Sequence, residues 1–101
     1  LEEKTHVVEM EAVLFAAAKL MSAGEIVFCP IAHSHEIGKR LGRTVDHAFW
    51  IEQDREILVH AAKMVILTLH GWNLSKGIAA EMRIAEEHAI PIQYLAPGHP
   101  S

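Results

Sequence analysis

The sequence predicts an α/β fold in which parallel strands alternate with crossover helices. Three observations predict it. Apolar residues recur at steps of three and four in three stretches, short apolar runs of strand length follow those stretches, and the two kinds of segment alternate as helix–strand–helix–strand–helix–strand. A chain of 101 residues, half apolar and 22% charged, has the composition of one globular domain spanning residues 1–101.

The first helix is read from Val7, Met10, Leu14, Ala17 and Met21, with Ala16, Ala17 and Ala18 favouring the helical state. Gly24 stands where a left-handed C-terminal cap belongs. Ile26, Val27, Phe28 and Cys29 form an apolar run stopped by Pro30, the pattern of a buried strand. From Ile31 to Val45 periodicity fails, and Gly38 and Gly42 predict a long loop with one helical turn near Glu36 to Leu41. Asp46 is the expected N-cap of a second helix that runs to about His60 and turns Trp50, Ile57, Leu58 and Ala61 inward. Met64 to Leu69 is a second buried strand. After the loop from His70 to Leu74, Ser75 caps a third helix that buries Ile78, Met82, Ala85 and Ala89 before Pro91 stops it. Ile92 to Leu95 is a last strand, and the tail from Pro97 carries no packing signal.

This order gives a three-layer, flavodoxin/Rossmann-like open parallel sheet with flanking helices. The first helix has no strand before it, so an N-terminal strand of such a sheet is expected to be missing. The edge it leaves would favour association into a homodimer or higher homo-oligomer. In open sheets of this kind ligands bind at the carboxyl ends of strands, which here means the segments Pro30 to Val45 and His70 to Lys76.

Composition excludes several functions. No apolar run approaches the ~20 residues of a membrane span. A net charge of −4 opposes the basic face that a nucleic-acid polymer requires. Cys29 is the only cysteine, which excludes an internal disulfide and a cysteine-based zinc site, and a cytoplasmic setting is expected.

Two carboxylates break the apolar pattern. Asp54 lies four residues after Trp50 and three and four before Ile57 and Leu58, on the inward seam of its helix. A carboxylate there must be paired, hydrogen-bonded or turned to a cleft, the ordinary alternative being a bond to a loop backbone or a place beside Arg55. Glu81 lies three residues after Ile78 and four before Ala85, near a helix start whose dipole favours its ionised form. An ionised, partly desolvated glutamate suits attack on an electrophilic carbon, and the ordinary alternative is a surface residue paired with Arg83 or Lys76. Ser75-Lys76-Gly77 opens the same helix with a hydroxyl, a residue without side chain and free backbone N–H groups, a set suited to phosphate. His33 and His35 would line a polar pocket or cap a loop. A metal reading would need His70 or Asp54 as a third ligand, and the spacing matches no standard zinc pattern, so no metal or cofactor is expected. Trp72 can stack on a nucleobase, whereas Trp50 and Cys29 read as core.

The set Ser75-x-Gly77-x-x-x-Glu81, after a strand and a Gly71-Trp72 loop and with Asp54 on the preceding helix, resembles the nucleoside 2-deoxyribosyltransferase superfamily. The stretches Pro30-Ile-Ala-His-Ser-His-Glu-Ile37 and Gly71-Trp-Asn-Leu-Ser-Lys-Gly77 are most similar to an uncharacterised bacterial and phage branch of it. The resemblance implies that Glu81 attacks the anomeric carbon of a nucleoside and that Asp54 protonates or positions the departing base. It implies further that Ser75, where base-reading transferases carry Asp, contacts a 5′-phosphate. The expected function is cleavage or transfer at the N-glycosidic bond of a nucleoside or nucleoside 5′-monophosphate, with Gly71, Gly77, Trp72, His33 and His35 around the substrate. The alternative is a nucleotide-binding or sensing module without turnover.

Overall fold

The computed structural model describes residues 2–42 and 46–98, with side chains from Met10 onward. Val7 as part of the first apolar stripe, and the Arg43–Val45 end of the expected loop, lie outside what is described. The chain divides into two compact units, one formed by residues up to Arg40 with the tail from Pro97, the other by Leu41–Ala96.

The first unit holds α1 (Glu2–Ser22) and α2 (Pro30–Leu41). Helix α1 ends as the sequence predicts. Gly24 takes φ +98°, its N–H bonds the carbonyl of Met21 and the next N–H, of Glu25, bonds Leu20. This paired closure needs a left-handed residue, and glycine takes that shape at no steric cost. The buried side of α1 differs from the predicted stripe: Leu14 and Met21 are exposed, while Val13, Ala16, Ala17 and Leu20 are half-buried. From Ala12 to Ala18 the helix is apolar on every side, so periodicity alone gives its seam no direction.

Two expectations are corrected here. Ile26–Cys29 is not a strand, because its backbone finds no ladder partner among the described residues, and Ile26 and Phe28 are exposed. Pro30 does not end a strand but begins a helix, with Cys29 accepting the first helical bond from His33 N–H at 3.0 Å. Proline suits this first position because the N–H it lacks would have had no partner. The expected loop is therefore the twelve-residue α2, whose interior tolerates Gly38 at about 1 kcal/mol. The tail also packs: the Phe15 ring lies so close to Gly98 that a Cβ there would sit 3.0 Å from it.

The second unit is built from α3 (His47–Leu58), β1 (Met64–Leu67), a 3₁₀ turn at Trp72–Leu74, α4 (Lys76–Glu87) and β2 (Ile92–Leu95). The strands pair in parallel, Met64 opposite Ile92 through Leu67 opposite Leu95, with α4 as the crossover between them. Thr68 secures their carboxyl ends, both its N–H and its hydroxyl donating to the Leu95 carbonyl at 2.9 and 3.2 Å. The chain is a small α/β fold whose described sheet has two strands where the sequence predicted three. Ile66, Ile84, Ala85 and Ile90 form its buried core. Ile57, expected inside, is exposed, because the seam of α3 runs through Trp50, Ile51, Asp54, Arg55 and Leu58.

Helix α4 closes by the same device as α1 but without glycine. Ile90 N–H bonds Ala85 at 2.8 Å, Ala89 N–H bonds Glu86 at 3.3 Å, and Ala89 is held at φ +54°. Ala89 is thus exposed at the helix end rather than buried on its stripe. The His88 ring lies 3.0 Å from the carbonyl of Ile84, one turn back. A left-handed alanine is strained by about 1 kcal/mol. Ala89→Gly should therefore raise stability by up to about 1 kcal/mol in denaturant titration, and Ala89→Val should lower it. A destabilised Ala89→Gly protein would contradict this helix end.

Candidate functional site

Helix α3 starts where Asp46 caps it, the Oδ1 atom accepting the Phe49 N–H at 3.1 Å. That start fixes the helical phase, and eight residues on it turns Asp54 to the side that packs against α4. Helix α4 starts where Ser75 Oγ accepts the Ile78 N–H at 3.2 Å, and its phase sets Glu81 between Ile78 and Ala85 on the packed face. Both carboxyl groups are half-buried where α3 packs on α4, and Asp54 is near enough to act on Glu81. The sequence predicted both residues on apolar seams. The alternatives, Glu81 paired with Arg83 or Lys76 and Asp54 bonded to a loop backbone, are not what the structure holds.

The electrostatics follow from that contact. Glu81 is pushed up from an ordinary 4.5 to about 8, first by burial, then by its hydrogen bond with Asp54, and then by repulsion from the Asp54 charge. At neutral pH Glu81 is thus a carboxylic acid, against the ionised state that the helix start alone suggested. No lysine, arginine or histidine offsets this among the influences on Glu81.

The loop from β1 to α4 puts Ser75 beside the crossover. Trp72 N–H bonds the Leu69 carbonyl at 2.9 Å across a turn whose third residue, Gly71, takes φ +85° and ψ 4°. A type II turn demands that conformation at that position, and glycine supplies it. Gly71 thereby has a backbone role that the substrate assignment did not include. Trp72 packs on Tyr94 of β2 with ring centroids 5.5 Å apart, a contact the sequence reading missed because nothing local links residues 22 positions apart. Gly77 leaves open the first turn of α4, where an added Cβ would meet only Ser75 Oγ at 3.8 Å.

The two histidines lie in the first unit, on α2 rather than on a loop. His33 is exposed with its ring 5.3 Å from that of Phe28, and His35 Nε2 is 3.7 Å from Glu36 Oε2. Among the described residues no three His, Cys, Asp or Glu side chains gather as a metal site would need. No described helix is long and apolar enough to cross a membrane.

Fold and site together define a small α/β protein with an interhelical acid pair beside a serine-capped helix start. The chain belongs to the family described as a domain of unknown function, DUF1937, whose model matches residues 3–96. No curated protein and no solved structure matches it.

The raised Glu81 carries a consequence for stability. Because the folded chain holds this proton more tightly than the unfolded chain, its contribution is full below pH 4.5 and is lost as pH rises towards about 8. Denaturation midpoints measured across that range should fall more steeply for the parent than for Glu81→Gln, which has no proton to lose. Equal slopes would show that Glu81 is not perturbed.

Proposed function

We propose that the chain cleaves or transfers at the N-glycosidic bond of a nucleoside or nucleoside 5′-monophosphate, through a sugar bound covalently to Glu81. The observation that carries the reading is the placing of Asp54 beside Glu81, two half-buried carboxyl groups on a packed helix pair. Glycosidic chemistry that passes through a covalent intermediate uses such a pair, one group attacking and the other handling protons. Glu81 would form the bond to the anomeric carbon, and Asp54 would protonate the base nitrogen as its bond breaks. Completion by water makes the chain a hydrolase, and completion by a second base makes it a transferase.

The phosphate would lie at the start of α4. Ser75 Oγ accepts from Ile78 N–H and retains its own O–H to donate, and Gly77 admits an anion close to the backbone. Trp72 would offer an aromatic face, and Gly71 would set the turn that carries it. We infer the three-layer, Rossmann-like sheet and the nucleoside 2-deoxyribosyltransferase relationship on the same grounds. A cytoplasmic homo-oligomer that needs no cofactor and binds neither membrane nor nucleic-acid polymer fits the composition.

One observation favours the second reading, a nucleotide-binding or sensing module: Glu81 is protonated at neutral pH and in that form cannot attack. Incubation with a panel of nucleosides and their 5′-monophosphates, read by chromatography for free base, separates the two. Base release that falls by about a thousandfold or more in Glu81→Ala is expected of the enzyme. Calorimetric binding of a monophosphate with no base released after long incubation would establish the module instead.

A further inference from the structure

We propose that Tyr94 is a ligand-binding residue: supported by Trp72, its ring is the surface on which the flat base of a nucleotide stacks. The proposal rests on the ligand class inferred above and holds with or without turnover. Tyr94 pairs in register with Ile66, one residue before the end of the ladder. That is the end of the sheet where open α/β folds take their ligands. Ile66 is 2% exposed, whereas Tyr94 is 55% exposed. Trp72 is half-buried beside it, with ring centroids 5.5 Å apart and planes tilted by 56°. The open aromatic surface of the pair therefore belongs mainly to Tyr94.

The backbone on both sides of the pair is fixed. Thr68 holds the carbonyl of Leu95, the residue after Tyr94, through its N–H at 2.9 Å and its hydroxyl at 3.2 Å. The left-handed Gly71 delivers Trp72, and Ser75 N–H bonds the Trp72 carbonyl at 3.2 Å. The supporting ring and the hydroxyl that caps α4 thus belong to one tight turn, as suits a ligand with a base at one end and a phosphate at the other. Aromatic rings held in this way have little freedom left to lose on binding, which favours a rigid, flat partner. Every nucleobase has a π-face, so the contact selects an aromatic ring over a saturated one whatever the hydrogen-bonding pattern of its edge. A tyrosine that served packing alone would make no such distinction and would act equally on ligands without a base.

The test measures affinity on the full chain, as parent, Tyr94→Phe and Tyr94→Leu, by calorimetry or as KM where base is released. The probes are adenosine 5′-monophosphate, uridine 5′-monophosphate, its 5,6-dihydro form and ribose 5-phosphate. The parent should bind the uridine compound about tenfold or more tighter than the dihydro form, the range for a base stacked on one aromatic ring. Tyr94→Leu should weaken both aromatic nucleotides by about tenfold, erase that preference and leave ribose 5-phosphate unchanged. Tyr94→Phe should behave as the parent, since the ring rather than the hydroxyl makes the contact. A Tyr94→Leu protein that binds the nucleotides like the parent, or that weakens ribose 5-phosphate to the same degree, overturns the stacking role and leaves the glycosidic reading standing. Should Tyr94→Leu fail to fold, equal affinity of the parent for uridine and dihydrouridine monophosphates overturns it. A parent that binds no nucleotide and releases no base overturns the glycosidic reading, and the stacking role with it.

Discussion

The closeness of the Asp54 and Glu81 carboxyl groups, on the packed helices α3 and α4, sets the terms for the second unit. Two acids packed between helices repel when both are ionised and lose solvation when either is, so the arrangement favours a proton on Glu81. That arrangement ties together two properties that would otherwise be separate, the packing of α3 on α4 and the raised proton affinity of Glu81. An apolar pair at these positions would pack the helices at no electrostatic cost.

The rest of the unit holds those two side chains in place. Asp46 and Ser75 start their helices at defined residues, and a helix started elsewhere would turn its carboxylate by about 100° per residue of slip. Thr68 ties the ends of the strands, Gly71 makes the turn, and Trp72 on Tyr94 anchors the loop that leads to Ser75. The left-handed Ala89 ends α4 so that Ile90 enters the core and β2 can pair with β1.

Much of this was legible in the sequence, and the reasons differ by element. Asp46, Ser75 and Gly24 were readable because capping is local chemistry, confined to a few residues. Asp54 and Glu81 were readable as seam residues because helical spacing is regular, but their mutual contact is a tertiary fact that no single helix encodes. Ile26–Cys29 has the composition of a strand without a partner to pair with, and strand formation is decided by partners more than by composition. Pro30 can end one element or begin another, and the choice went to the helix. Ala89 stands where glycine would have announced the helix end. Ile84, the most deeply buried large side chain, escaped because the seam was drawn through Met82 rather than along Ile78, Glu81, Ile84 and Ala85.

The central claim is that the two acids touch, and a double-mutant cycle on Asp54→Ala and Glu81→Ala, with stability measured near pH 6, tests it most directly. Contact requires that the double variant depart from the sum of the singles by about 0.5 kcal/mol or more, the range for residues that share a hydrogen bond. Effects that add to within about 0.3 kcal/mol would mean that Asp54 and Glu81 act independently, and the acid pair would not exist.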